Sequence, residues 1–357
     1  MMNAERFREV VSGQRRGLVA ACQRLVFAGI SVPYLWVTRL RNRRYDRQPG
    51  RIQSAGAPTI SVGNLTLGGT GKTPLVEWIA RWLRQHRVRV TLVSRGYKSG
   101  KDAVNDEALA LEELLPDVPH VQNADRVSAA RMAVEEFAAQ MILLDDAFQH
   151  RRIHRDLDIV LVDATEPFGF DHIFPRGTLR EALDGIGRAD LIAITRADCV
   201  SHETREQITE RIRQYNPSAP VIQVTHAPKC LRAANGDEQQ LEKLRGARVR
   251  AFCGIGNPQG FEKTIESCGY ELIELRTFPD HHGYSRDDME ELTAWAQRAP
   301  HCDAVLCTHK DLVKVGMHQL GTRPLYALAI GVGFLEGQAA LEDKLQQCLE
   351  QVEVDAF

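Results

Sequence analysis

An α/β fold is predicted for this chain: a mostly parallel sheet with helices on both faces, followed by a smaller C-terminal α/β unit and preceded by an apolar helix. Three observations predict it. Apolar strand-like runs alternate with helical patterns between Pro58 and Thr195, the pattern of βαβ units whose sheet is covered on both sides. A glycine-rich loop lies where the first such strand meets the first such helix, a junction at which a helix N-terminus favours an anion. The length, 357 residues, suffices for two domains, since single cores stop growing near ~250–300 residues.

Taken in order, the N-terminus differs most in composition. Residues 25–37 carry no charge, while Arg15, Arg16 and Arg24 precede them and Arg39, Arg41, Arg43, Arg44 and Arg47 follow. That run is shorter than the ~18–20 apolar residues needed to span a bilayer, and without an evident small-residue cleavage site it does not read as a signal peptide. Two readings stay open. The helix could lie in the interface of an anionic leaflet, each nearby basic residue contributing about 1 kcal/mol, or it could pack on the domain by its apolar face with the arginines solvated.

Strands are expected at 58–62, 88–94, 141–146, 157–163 and 191–195, with helices at 75–83, 107–115 and 127–137. The pattern weakens across 225–244, a polar stretch expected to be a hinge. Beyond it, strands are expected at 249–253, 304–307 and 325–330 and helices at 258–267 and 286–297, the latter capped by Ser285 with Asp287 and Asp288 in its first turn. The expected division is therefore 1–50, 51–225 and 226–357. A net charge of −2 gives no basic field for nucleic acid. Eight cysteines without a C-x-x-C pair argue against a zinc site or disulfide framework and suit a reducing compartment. No obligate protein partner is evident.

The chemistry concentrates in the stretch Ser61-Val-Gly-Asn-Leu-Thr-Leu-Gly-Gly-Thr-Gly-Lys-Thr-Pro74. A loop ending in Gly71-Lys72-Thr73 turns successive backbone N–H groups around phosphate oxygens, places Lys72 against the β and γ phosphates and offers the Thr73 hydroxyl to Mg²⁺. The expected nucleotide cradle is Thr66, Leu67, Gly68, Gly69, Thr70, Gly71, Lys72 and Thr73, so the sheet reads as P-loop NTPase-like. One departure is that Thr66 stands where the strict pattern has glycine, Gly68 and Gly69 supplying the backbone freedom instead. Asp145 and Asp146 end a hydrophobic strand, the place from which a carboxylate serves Mg²⁺. Adjacent side chains there point in different directions, so one is expected on the metal and the other on the substrate or a base. The basic run Arg151, Arg152, His154 and Arg155 could meet phosphate or be a solvated face. Asp106, Arg180 and His281 are further candidates for positioning an acceptor and neutralising the moving phosphoryl group.

Together these elements resemble the tetraacyldisaccharide 4'-kinases, the lipid A 4'-kinases of Gram-negative envelope synthesis. The phosphate loop, Ser94-Arg-Gly-Tyr97, Asn105-Asp-Glu107, Asp125-Arg126, Asp145-Asp-Ala-Phe-Gln-His150 with Arg155-Asp-Leu-Asp158, Leu179-Arg-Glu181, Phe278-Pro-Asp-His281 and Thr308-His-Lys-Asp311 occur in that family's order. The resemblance covers most of the chain. It implies transfer of the γ-phosphate of ATP, with Mg²⁺, to the 4'-hydroxyl of a lipid-borne disaccharide 1-phosphate at the cytoplasmic face of the bacterial inner membrane, the protein being peripheral or monotopic on an anionic surface. It further implies that Asp106 acts as base with His281 supporting it, that Asp145 and Thr73 serve the metal, and that Asp146 and Arg180 act in catalysis. The chain departs from the family pattern at Asn105, Ala108, Ala147 and His282. If Ala147 must adopt positive φ, its loop would be strained. The rival reading is a P-loop GTPase or metallochaperone-type switch, because Thr195-Arg-Ala-Asp198 and Thr308-His-Lys-Asp311 faintly resemble a guanine-reading element, though neither carries its asparagine.

Overall fold

The computed structural model describes residues 4–96, 106–280, 282–298 and 301–352. Two helices come first, α1 (Ala4–Ser12) and α2 (Leu18–Arg47). Then follow β1 (Thr59–Asn64), α3 (Lys72–Gln85), β2 (Val90–Ser94), α4 (Asp106–Leu114), β3 (His120–Gln122), α5 (Arg126–Phe137), β4 (Met141–Asp145), β5 (Leu157–Asp163), β6 (Leu191–Thr195), α6 (His202–Tyr215), β7 (Val221–Arg232) and β8 (Glu238–Gln239). The remainder is β9 (Arg248–Cys253), α7 (Pro258–Ser267), β10 (Glu271–Thr277), α8 (Arg286–Gln297), β11 (Ala304–Cys307), α9 (His309–Val315), β12 (Gln319–Leu320), β13 (Arg323–Glu336) and α10 (Gln338–Leu349).

The strands form one sheet in the order β10-β9-β11-β13-β7-β6-β5-β1-β4-β2-β3, with β12 on β13 and β8 on β7. Both arms are parallel, and the antiparallel pair β7 and β13 joins them. Strand β7 continues through residues 225–232, part of the stretch expected to be a hinge, with a shift of register against β13 at Lys229. Period-two alternation decides which face each strand residue serves. In β5, Leu157, Ile159 and Leu161 join a core under α3 and α10, whereas Val160 and Val162 join another with Ile208 and Ile212 of α6. Helix α3 supplies its share through Leu75, Val76, Ile79, Ala80 and Leu83, one apolar stripe at helical spacing.

Helix α2 is longer than the uncharged 25–37 run, because its arginine-rich flanks continue it to 30 residues. By length and composition it could cross a membrane. Much of its apolar surface faces outward, with Leu18, Leu25 and Trp36 at 86%, 73% and 62% exposure. Its other side is bonded to the protein: Ser31 Oγ donates to the Ile173 carbonyl at 3.0 Å, Tyr34 OH to the Arg180 carbonyl at 3.2 Å and Asn42 Nδ2 to Glu181 at 2.6 Å. Helix α1 packs alongside through Phe7, whose ring meets Phe27 and Phe174.

Candidate active site

The phosphate loop is fixed from both sides before any ligand is considered. Residues 65–67 pair with 178–180: Leu67 N–H donates to the Thr178 carbonyl and Arg180 N–H to the Leu65 carbonyl, each at 2.7 Å. On the far side Thr195 Oγ1 donates to the Thr70 carbonyl at 2.8 Å, and Arg196 donates to the Gly69 carbonyl at 3.0 Å while pairing with Asp163. Gly71 then turns into α3 at φ 77 and ψ 32 with no capping side chain. Its left-handed backbone suits glycine alone among common residues, and it leaves the first N–H groups of α3 open to an anion.

Strand β4 lies beside β1 with Asp145 in register with Val62, and Asp146 N–H donates to the Val62 carbonyl at 2.9 Å. That pairing brings the two acids to the loop. Asp146, not Ala147, takes the left-handed conformation, at φ 51, so the strain expected at Ala147 falls on the acid itself. Gly63 allows the close approach of the next turn, since a Cβ there would stand 2.7 Å from that of Phe148.

Asp146 is the centre of the charge arrangement. Its Oδ1 is 3.4 Å from Lys72 Nζ, and Arg180 donates to both its oxygens at 2.9 Å. Burial works against its charge, but Lys72 and Arg180 outweigh burial and hold the carboxyl below its ordinary range. Lys72 also donates to Asn64 Oδ1 at 3.4 Å. Gln149 Nε2 ties the turn to the Asn64 carbonyl at 2.8 Å and to Glu181 at 3.2 Å, and Arg188 holds Glu181 at 2.9 Å. Buried Arg126 senses Asp145 and Asp146, although burial and Arg95 pull its pKa down. Sequence reasoning did not single out Asn64, Gln149, Glu181 or Arg196 for this place. All four lie inside quoted stretches, Asn64 in the glycine-rich loop, Gln149 and Glu181 in the family motifs and Arg196 in Thr195-Arg-Ala-Asp198, and only their contacts distinguish them from neighbours.

Two expectations change. The basic run neither faces solvent as a whole nor gathers at the loop: Arg151 bonds Asp46 at 2.7 Å, Arg152 bonds Asp125 at 3.0 Å, and buried Arg155 holds the Phe148 carbonyl and Asp158, each at 3.0 Å. Of the three, Arg155 braces the 146–149 turn, through the Phe148 carbonyl, while Arg151 ties the segment to α2. The Thr308-His-Lys-Asp311 element is structural, with Asp311 wholly buried and accepting from Tyr284 OH at 2.9 Å, Thr308 Oγ1 at 2.6 Å and Gly254 N–H at 3.2 Å. Asp106 opens α4, but its side chain, like Tyr97, Asn105 and His281, lies outside the described residues, and so does the expected contact between Asp106 and His281.

Mg²⁺ asks for hard oxygen donors and takes few of them from protein, the rest coming from phosphates and water. The Thr73 hydroxyl at the start of α3 and the Asp145 carboxylate at the end of the adjoining strand are donors of that chemistry, so the residues fit the ion.

The family model for tetraacyldisaccharide-1-P 4'-kinase matches residues 23–350. The tetraacyldisaccharide 4'-kinase of Halothermothrix orenii is 36% identical over 334 residues, which cover 84% of this chain and 86% of that protein. The one from Geobacter sulfurreducens is 33% identical over 363 residues, covering 96% and 98%. Among solved structures, the "apo" form of LpxK from Aquifex aeolicus in complex with ATP superposes with a TM-score of 0.72 at 28% identity, over 91% of this chain and 99% of that one.

Proposed function

Because the chain belongs to the tetraacyldisaccharide-1-P 4'-kinase family and is a kinase of lipid A biosynthesis, we propose that the loop Thr66 to Thr73 holds ATP and that Lys72, Asp146 and Arg180 manage the charge of the transferred phosphoryl group. The observation that carries this reading is the Lys72, Asp146 and Arg180 cluster at the mouth of the phosphate loop. Asp146 occupies both cations in the resting site. An incoming triphosphate competes for them, Lys72 turning to the β and γ phosphates and Arg180 to the γ oxygens. The reaction is then an in-line displacement. The 4'-hydroxyl oxygen bonds the γ phosphorus, the bond from that phosphorus to the bridging oxygen breaks, and ADP leaves with the electron pair.

Asp106 takes the hydroxyl proton in this reading, and His281 orients its carboxylate. Thr73 and Asp145 would hold Mg²⁺, which when bound would supply charge neutralisation to the triphosphate. The sheet arm within 51–225 serves the nucleotide, the arm within 226–357 contributes His281, and residues 1–50 meet the lipid. The exposed apolar length of α2 between arginine clusters supports placement on an anionic leaflet. As the lipid acceptor and the ATP pool meet at the cytoplasmic face of the inner membrane, the protein is assigned there.

The test uses γ-labelled ATP with tetraacyl disaccharide 1-phosphate and follows the bisphosphorylated lipid. Lys72→Ala and Arg180→Ala are each expected to lower kcat by roughly a hundredfold to a thousandfold with the fold intact. Near-normal kcat in a folded Lys72→Ala protein would remove these assignments.

A further inference from the structure

Two buried polar atoms beside Gly71, Thr70 Oγ1 and His226 Nε2, make no hydrogen bond of good geometry among the described residues, although the Gly71 backbone lies close enough to the imidazole to raise its pKa. Buried polar atoms left this way are uncommon and usually mark a place that a ligand or water completes. Both are held in position by structure outside the loop. The Thr70 carbonyl is tied to β6 through Thr195, and His226 sits on β7 opposite Val332 of β13. Strand β7 pairs with β6 only as far as Gln223, so its continuation to His226 passes the carboxyl end of β6 and reaches the loop. There the imidazole meets Gly71 directly, for a Cβ at that glycine would stand 2.2 Å from Nε2 and 2.3 Å from Cε1.

The ring is also in a defined protonation state. Burial and the Arg196 guanidinium lower its pKa to about 4 against the opposing pull of Asp163 and the Gly71 backbone, so at neutral pH it is uncharged and carries one N–H. It faces a helix start whose first N–H groups have no capping side chain. With the proton assigned to Nε2, a phosphate oxygen at that helix start offers the well-aligned acceptor that the Gly71 backbone does not.

We propose that His226 is a nucleotide-binding residue whose Nε2 donates to a β-phosphate oxygen held at Gly71, so that β7 closes the phosphate cradle. This rests on the reading of residues 66–73 as the triphosphate site. It adds a neutral donor to the charged one of Lys72, and it comes from the strand that joins the two arms of the sheet. No signal in the sequence marked it, because His226 lies in a polar stretch far from the glycine-rich loop.

Binding of ATP, ADP and AMP to the full-length chain tests it, with the variants His226→Phe, His226→Gln and Lys72→Ala and a thermal melt of each. Phenylalanine keeps an aromatic ring without the donor; glutamine restores an N–H. His226→Phe is expected to weaken ATP and ADP by the same factor, roughly tenfold to a hundredfold, with AMP unchanged because it lacks the β-phosphate. His226→Gln, melting with the wild type, is expected to stay within about threefold. If both His226 variants bind ADP as the wild type does while Lys72→Ala loses it, the proposal falls and the phosphate-loop reading stands. Equal weakening of AMP overturns the β-phosphate contact. Wild-type ATP and ADP binding by folded Lys72→Ala would overturn the phosphate-loop reading, and the proposal with it.

Discussion

Asp146 is the residue on which the site's two cations converge, and its neighbours illustrate how burial sets charge state. His150, at the end of the same Asp145–His150 motif, is half-buried beside Arg126, Arg155 and Arg152, and burial, then Arg126, lower its pKa to about 4 against Asp125. Relative to the ordinary value of about 6.5, the unfolded chain takes up this proton first as pH falls. The stability contributed by the neutral ring is therefore complete above about pH 6.5 and is lost between there and about pH 4. His150→Gln removes that dependence, so the stability gap between wild type and variant is expected to narrow from pH 7 to pH 5 in urea unfolding; a constant gap would show that His150 titrates normally. Asp311 tests a different assignment. Asp311→Ala strands the Tyr284 and Thr308 hydroxyls and the Gly254 N–H, and is expected to cost about 2–4 kcal/mol of stability. Competition between ATP and GTP should be unchanged by it. A switch in nucleotide preference would return this element to the guanine-reading role its residues faintly suggest.

Among the elements, α2 extends furthest beyond its sequence signal. The uncharged run marked a 13-position segment, 25–37, but arginine stems extend the same helix, since a long aliphatic stem can lie along apolar surface while its charge reaches water. The structural consequence is that α2 does two things at once. Its exposed side is largely apolar from Leu18 to Val37, and its inner side bonds residues 173, 180 and 181, the segment whose neighbours 178–180 pair with the phosphate loop. Truncation would therefore confuse membrane attachment with loss of support for the loop. Substitution on the outward side separates them: Leu25→Glu with Val37→Glu, both sites being well exposed, is expected to lower binding to anionic vesicles at least several-fold, given ~0.8 kcal/mol per buried CH₂ lost from the lipid. Thermal stability and ATP binding should stay at wild-type levels. Vesicle binding that survives both charges would place the membrane contact elsewhere.

Across the whole molecule, the parts legible in the sequence are those in which local pattern and tertiary role coincide. β5, β6, β11, α7 and α8 were readable to the residue because doubly buried strands are continuous apolar runs and because Ser285 announces its helix through a capping box. β7 and the edge strand β10 were not readable, since both mix polar and apolar positions and are only partly buried. The phosphate loop was visible from its glycines and Gly71-Lys72-Thr73, yet the residues that brace it, Thr195, Arg196, Thr178 and His226, come from strands and loops more than a hundred positions away. Long-range contacts of that kind leave no local pattern. The same reasoning governs Asp106 and His281, which the resemblance pairs across the length of the chain. If they act as one unit on the 4'-hydroxyl proton, Asp106→Ala and His281→Ala should each lower kcat far more than they raise KM for ATP. The double variant should then be little slower than the slower single one, because a base and the group that orients it are lost together. Rates that fall multiplicatively in the double variant would mean that the two residues act independently, and the proton would need another acceptor near the start of α4.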